Sequence, residues 1–536
     1  MSLTESLIQN EFSQDLDEID DGSLIYKPSD KKLIQIYNYF YHKGFYNIVS
    51  IQITSLLTSF FMIFFLNFLF TCVEYRGLYN LKEEDIISNY VDLSNFYKNN
   101  FTYILTTIIL LIYFLIRCIG LINDIKDYKI IKKFYYKKLK IDDKLIENVN
   151  WNSVVKKIED LYGNEYNIYN TNMKILRKDN IITYILSTNL NTYLYSRLIE
   201  WNIIYCIFDF IFDSDYKVKE EIYSNPKKLS KNIKKNLRIV AFITYLFMPL
   251  LAIYLLFYSI IKYGEKFYNN PSKIISKQWS LKAKWKLRFY NELKHELKER
   301  LNNSTQYAIT YSSLNNYKIV DTFFEFIIFV LSSIFIMLLI LSFYNEHLLL
   351  NLNISKNKPI LWYLGILGSI IAIGKNSVKK KKLDKDNCID SLIKNIRYFP
   401  RDFKQEYNIS RNRKRISRIF EYQIYTILKE YFSVLLIPFS LLYLINYVDN
   451  IIEVIKENLE EDNILGFIEG ESNFRTINNE SSDKKIISFS EFRKRYPDWG
   501  ANIELYQIGE NSKIIERSMN INMGIQNTYD SNISII

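Results

Sequence analysis

IVAFITYLFMPLLAIYLLFYSII, residues 239–261, is an apolar run interrupted by Pro249. Six cations precede it (Lys227, Lys228, Lys231, Lys234, Lys235, Arg238), and eight lie between Lys262 and Arg288 with only Glu265 opposing them. Lys and Arg gather on the cytosolic side of a membrane. A crossing would leave one basic flank on the wrong side, whereas a segment that enters and returns satisfies both, so this run is expected to be a re-entrant hairpin. A second run, YFSVLLIPFSLLYLINY at 431–447, carries Pro438 and follows another basic loop. Its downstream residues Asp449, Glu453 and Glu457 are acidic, so charge leaves crossing and re-entry both open. Irregular backbone survives at membrane depth only when buried in protein or lining a wet cavity. The pair therefore points to a path through the bilayer for something polar.

Working outward, four apolar runs lack proline within their hydrophobic stretch: Ile48–Phe70, Phe101–Ile122, Asp321–Tyr344 and the short Pro359–Gly374. The longer ones approach the ~20 residues a transmembrane helix needs. The loop between the first two holds Glu74, Glu83, Glu84, Asp85 and Asp92 against three cations, while seven lysines between Lys126 and Lys140 follow the second. Between Asn376 and Phe420, fourteen cations face five acidic residues. The positive-inside rule then puts both termini in the cytosol. Two glycosylation sequons, at Asn100 and Asn353, fall on the lumenal side.

The expected layout has eight parts: a cytosolic tail (1–46), the first two spans with their lumenal loop (47–122), a cytosolic helical block (123–237), a re-entrant segment with amphipathic cytosolic helices (238–320), the third and fourth spans (321–375), a basic cytosolic block (376–430), a second re-entrant segment (431–448) and a cytosolic C-terminal region (449–536). The fold class is an all-α integral membrane protein. Leu281, Trp285, Phe289, Leu293, Leu297 and Leu301 form an i, i+4 row on an amphipathic helix. That helix either packs on the core or lies in the headgroup layer, where Trp279 and Trp285 would suit the interface.

Hydrophobic residues make up 49% of the chain and charged ones 24%, with a net charge of +11. The excess charge sits beside apolar segments, which favours lipid headgroups over nucleic acid as its partner. The four cysteines (Cys72, Cys118, Cys206, Cys388) have no CxxC spacing, and the three histidines are scattered. A disulfide framework and a metal site are therefore not expected. No P-loop, GxGxxG or GxSxG element occurs, and no cofactor or covalent chemistry is expected. Polar residues at membrane depth are costly and often functional. Lys262, Glu265 and Lys266 leave the first proline-broken run, Glu325 sits near the start of the third span, and Lys375 ends the fourth.

Several stretches together resemble one family. Leu176-Arg177-Lys178-Asp179-Asn180 resembles its basic–acidic–Asn signature, and Leu198-Ile199-Glu200-Trp201-Asn202 its LEWN element. Asn270-Pro271-Ser272, Gln278-Trp279-Ser280 and Trp285 to Leu293, which contains Arg288, Asn291 and Glu292, resemble its most distinctive block. Leu361 to Gly368, with Gly365 and Gly368, resembles its FYLGILG span. This is the pattern of the autophagy-related protein 9 family. The resemblance implies four crossing helices, two re-entrant segments and a domain-swapped homotrimer. It implies a scramblase that moves phospholipids between leaflets without ATP, on Golgi-derived and endosomal vesicles and the preautophagosomal membrane. Lipid-transfer and other autophagy proteins would be its partners. Asn269 and Asn270 stand where some members carry charge before the Pro, so they join the lipid-path residues as polar, uncharged positions, and Lys375 matches a basic family position. A channel or transporter, and a scaffold recruiting partners to vesicles, are the alternatives.

Overall fold

The computed structural model describes residues 27–75, 91, 101–187, 196–269, 276–313, 318–344, 353–355, 358–378, 391–392, 394–397, 418–477 and 481–499. The chain divides into two compact units: Met1–Arg177 with Phe212–Lys217 and Asp462–Gly466, and Lys178–Ile211 with Val218–Glu461 and Phe467–Ile536.

The first unit is built on helices α1 (Asp30–Tyr41), α2 (Phe45–Thr71), α3 (Phe101–Lys137) and α4 (Trp151–Tyr162), and contains the start of α5 (Ile168–Ser187). Ser29 caps α1 through its hydroxyl. The core stacks Tyr39 on Tyr135 and sets Tyr37 edge-on to Trp151, with ring centroids 4.7 and 5.1 Å apart. The buried Arg177 is paired with Asp30 at 2.7 Å. It also donates to the carbonyls of Tyr216 at 3.2 Å and Leu465 at 2.6 Å. One guanidinium thus ties both short excursions into this unit. Helices α2 and α3 pack together and leave Leu57, Phe61, Phe64, Leu115, Ile116 and Ile119 exposed, as a face toward hydrocarbon requires.

In the second unit, α6 (Arg197–Ile203) runs into a π-helical turn over Ile204–Phe208. Helix α7 (Pro226–Asn269) is followed by β1 (Lys277–Trp279), α8 (Leu281–Leu287) and α9 (Lys294–Ser313). Next come α10 (Lys318–Tyr344), β2 (Asn353–Ser355), β3 (Lys358–Pro359) and α11 (Ile360–Val378). The last elements are β4 (Phe420–Tyr422), α12 (Gln423–Leu444), α13 (Val448–Asn458) and α14 (Asp483–Arg495). The fold is mostly helical, not wholly so. β1 pairs antiparallel with β4 through Lys277–Tyr422, Gln278–Glu421 and Trp279–Phe420, and β2 pairs with β3.

Two further expectations need correction. No hairpin forms inside 239–261: α7 is a single 44-residue helix that passes through Pro249. Proline removes one backbone hydrogen bond but fits a helix held by its neighbours. That neighbour is α12, which packs along α7. The amphipathic row from Leu281 to Leu301 is not one helix either. It breaks after Leu287, where Arg288 is extended and Asn291 adopts φ 58°. Asparagine tolerates this left-handed conformation better than most residues. Of the row, Phe289, Leu293 and Leu301 are buried and Leu281, Trp285 and Leu297 half-buried, so it packs on protein; the neighbouring Trp279 lies edge-on to Phe420 in the cluster that holds Leu301.

Among the described residues, four helical stretches are long and apolar enough to cross a membrane: Phe45–Thr71, Pro226–Gly264, Glu325–Phe343 and Gln423–Asn458. Ile360–Ala372 is a shorter apolar helix. The two proline-bearing helices thus rank with the spans by length and composition. Helix α11 lies against α10, and its glycines allow the approach. A Cβ on Gly374 would stand 2.7 Å from Ile328 Cδ1, and one on Gly368 would stand 3.4 Å from Phe335. Gly365 faces open space.

Candidate functional site

The residues around the proline-bearing helices form two neighbouring arrangements in the second unit. The first is a buried polar interlock. Glu292 accepts the Phe289 backbone N–H at 3.0 Å and takes Arg300 in a two-pronged pair at 2.8 and 2.7 Å. Arg300 also donates to the carbonyls of Leu287 and Ile396 at 2.8 and 2.6 Å, and lies 4.1 Å over the Phe289 ring. Arg495 on α14 reaches Glu292 at 3.3 Å and Glu296 at 2.6 Å. Burial alone would raise the Glu292 carboxyl, but Arg300 and Arg495 outweigh it and hold it below the usual range.

The turn that carries Glu292 is fixed from both sides. The Asn180 amide donates to Asn291 Oδ1 at 2.7 Å, while the Asn291 backbone N–H donates to Asn180 Oδ1 at 3.1 Å. The Asn291 amide donates in turn to the Ser472 carbonyl at 2.8 Å. Arg288 pairs with Asp179 at 2.9 Å. Trp285 Nε1 donates to Glu200 at 2.6 Å. Burial raises the Glu200 carboxyl, partly countered by the Trp285 donation and by Arg197. Asn202 donates to the Leu198 carbonyl at 2.8 Å, and Trp201 is exposed.

The second arrangement is a cavity of about 530 Å³ between the β1–β4 ladder, α8 and the first turns of α12. Gln278 and Trp279 line it, together with cations that sequence reasoning did not single out as a site: Arg197, Lys277, Lys282, Lys284, Arg418 and Lys429. Glu421 and Glu430 are its acidic members. Both are engaged: Glu421 holds Lys429 at 2.8 Å, and Glu430 accepts the Arg197 backbone N–H at 2.8 Å. Burial lowers Lys282, and the nearby Lys286 and Lys429 add to it. Burial likewise lowers Lys284, with Arg197 adding to it. The signal in the sequence was the run of cations between Lys262 and Arg288; the missing step was the ladder that folds Lys277 and Lys282 onto residues near 420.

The lipid-path residues expected from sequence are not among those lining this cavity. Lys262 is exposed near the end of α7, with its ammonium 3.1 Å from the Tyr258 hydroxyl, and Lys266 lies over the Tyr263 ring at 5.5 Å. Asn269 is the last residue of α7, and Glu265 and Lys375 lie within α7 and α11. Glu325 is exposed on α10. Asn353 starts β2. Asn100, Asn270 and Pro271 lie outside the described residues.

A model of the family described as Autophagy protein ATG9 matches residues 29–474. The chain belongs to the ATG9 family. Autophagy-related protein 9 of Dictyostelium discoideum is 26% identical over 531 residues, covering 90% of this chain and 75% of its own length. The Arabidopsis thaliana protein of that name is 25% identical, covering 87% of this chain and 60% of its own. The chain thus spans well under two thirds of some ATG9 relatives, 46% for that of Saccharomyces cerevisiae strain S288c. The cryo-EM structure of Schizosaccharomyces pombe Atg9 matches with a TM-score of 0.63 at 24% identity, covering 83% of this chain and 98% of that one, which is a likeness of fold. The interlock from Asp179 to Ser472 falls within the ATG9 match, whereas Arg495, which closes it, lies beyond.

Proposed function

We propose that this chain is an ATP-independent phospholipid scramblase that re-equilibrates lipid between leaflets as autophagic membranes grow. The observation that carries the reading is the pairing of two apolar, proline-bearing helices, α7 and α12, beside a cation-lined cavity at the start of α12. A charge at the bilayer centre costs about 3 kcal/mol or more. A wet, polar groove open at its side lowers that barrier for a headgroup while the tails stay in hydrocarbon. Membership of an autophagy family supports lipid as the cargo. Under this proposal α2, α3, α10 and α11 cross the membrane with both termini cytosolic, and α7 and α12 enter from the cytosolic side. The working form is a homotrimer on Golgi-derived or endosomal vesicles, beside lipid-transfer proteins, and no covalent step is involved.

The test is purified protein in liposomes carrying a fluorescent phospholipid, quenched from outside with dithionite. Quenching should extend beyond the outer-leaflet fraction without ATP, and the Lys262→Leu/Lys375→Leu variant should slow it several-fold. Inserted protein that leaves inner-leaflet lipid protected overturns the proposal, and ion flux without lipid movement assigns a channel instead.

A further inference from the structure

The cavity holds more positive charge than the protein neutralises. Six cations line it against two carboxylates: Glu421, which is paired with Lys429, and Glu430, which accepts the Arg197 backbone N–H. Glu200 nearby offsets part of the charge of Arg197 and Lys284. Among the described residues, no carboxylate lies within ion-pair distance of the side chains of Arg197, Lys282, Lys284 or Arg418. Lys282 and Lys284 are half-buried, so water screens their repulsion only in part. An occupant that brings negative charge relieves this repulsion; one that brings its own ammonium group does not. The remaining polar lining is uncharged: Gln278 donates to the Thr426 hydroxyl, Thr426 to the Tyr422 carbonyl, and Ser280 caps α8, which leaves the Gln278 amide oxygen to accept from a ligand. That combination suits a phosphorylated polyol, with phosphate oxygens on the cations and a ring hydroxyl donating to the Gln278 amide oxygen. The volume of about 530 Å³ lies within the roughly 300–1,000 Å³ of small-ligand sites and exceeds what a lone phosphate fills.

The surroundings indicate what the polyol is attached to. Tyr425, Thr426, Lys429 and Glu430 face the cavity from the first turns of α12. On the same helix Ile424, Leu428 and Phe432 form an i, i+4 row of exposed apolar side chains, on the face next to the one that carries Tyr425 and Lys429. A headgroup in the cavity would have acyl chains lying along that row. We infer that this cavity is a docking site for a phospholipid whose headgroup is a phosphorylated polyol, of the inositol-phosphate type, distinct from the zwitterionic lipids that make up the bulk of a membrane. The inference rests on the reading of α12 as a membrane helix and deepens the proposed function by naming a lipid class that the protein retains.

The test uses the full chain in phosphatidylcholine nanodiscs doped with phosphatidylinositol 4-phosphate, with co-purifying lipid quantified by mass spectrometry. The wild-type protein should enrich the phosphoinositide by roughly tenfold or more, the scale of one charge-assisted hydrogen bond. Lys282→Gln/Lys284→Gln should bring this close to parity. Lys282→Arg/Lys284→Arg should retain it, as should Lys227→Gln/Lys228→Gln, which removes the same charge elsewhere. If the glutamine variant does not fold, acetylation footprinting of the wild type replaces it: the phosphoinositide should protect Lys282 and Lys284 several-fold relative to phosphatidylcholine alone. No enrichment, enrichment that survives the glutamine pair, or absence of protection overturns the site. Soluble inositol phosphate binding as tightly as the lipid overturns the lipid as occupant. None of these readouts measures scrambling, so a chain that fails to scramble yet retains the phosphoinositide would sink the proposed function and leave this site standing.

Discussion

Between Lys277 and Arg300 the chain places its cations in two contrasting settings. From Arg288 onward each buried guanidinium meets a carboxylate: Arg288 with Asp179, and Arg300 with Glu292. Before Arg288, Lys282 and Lys284 stand half-buried at a cavity with no carboxylate at ion-pair distance, Glu421 being paired with Lys429 and Glu200 acting on Lys284 from further off. The break at Arg288–Leu293 separates them. On one side of it charge is spent on holding the turn, and on the other it faces open space. Cations that look alike in a basic stretch thus divide into those that a carboxylate pairs within the fold and those that line a cavity without an ion pair.

Two measurements can break that division, and a third sharpens it by testing a buried carboxylate and amine outside it. The largest effect is expected from Glu292→Ala, which strands Arg300 without its buried carboxylate. Losing one partner of such a pair costs about 3–5 kcal/mol, so the variant should lose its monodisperse peak or melt far below wild type in detergent. A melting temperature near that of the wild type would show that Arg300 holds the turn through the Leu287 and Ile396 carbonyls without needing Glu292.

The next concerns a buried pair of groups with raised and lowered affinities for protons. Burial pushes Glu469 up to about 8, with a backbone donation from Glu471 working against it. Burial pulls Lys484 down to about 7, with Glu469 opposing that shift. Between the ordinary carboxyl value of 4.5 and about 8, the folded chain holds more protons at Glu469 than the unfolded chain, so this group's contribution to stability falls as pH rises. Between about 7 and 10.5 the unfolded chain holds more protons at Lys484, so that contribution rises with pH. Thermal unfolding across pH 5–9 should show the falling limb, at most ~1.4 kcal/mol per pH unit. Glu469→Gln should flatten it; an unchanged profile would show that Glu469 is ionised in the fold.

The smallest effect is expected at the cavity. Without ligand, Lys282→Gln/Lys284→Gln should shift stability by no more than about 0.5 kcal/mol, and upward if at all, because it removes repulsion and breaks no ion pair. A loss of several degrees in melting temperature would place these lysines with the structural cations.

The sequence displayed the apolar helices plainly because length and hydropathy alone reveal them: the run at 48–70 became Phe45–Thr71. Trp285, Arg288, Asn291 and Glu292 could be singled out as a motif, but not what they touch. Their partners are Glu200, Asp179, Asn180, Ser472 and Arg495, as many as 203 positions away, and no local pattern encodes such pairings. The amphipathic row failed as one helix because its i, i+4 spacing continues through a turn whose cause, the Asn180–Asn291 pair, is tertiary. Helix α14 was missed because it is buried all round: Lys484 to Phe492 are all buried, lysines and serines included, so its sequence carries no one-faced apolar period. The hairpin inside 239–261 was argued from charge, which sees the two flanks of a segment but not the partner helix that keeps α7 continuous through Pro249.

Arg177 sets a timetable for biosynthesis. Its guanidinium is held by Asp30 and by the carbonyl of Leu465, which lies 288 residues further along the chain. At roughly 5–20 residues per second, a ribosome needs about 15–60 s to travel that distance. Throughout that interval the N-terminal unit is missing one of its own segments, while the apolar helices synthesised in between emerge and need a bilayer to enter. A stop codon shortly before residue 462 would therefore damage the beginning of the protein as well as its end.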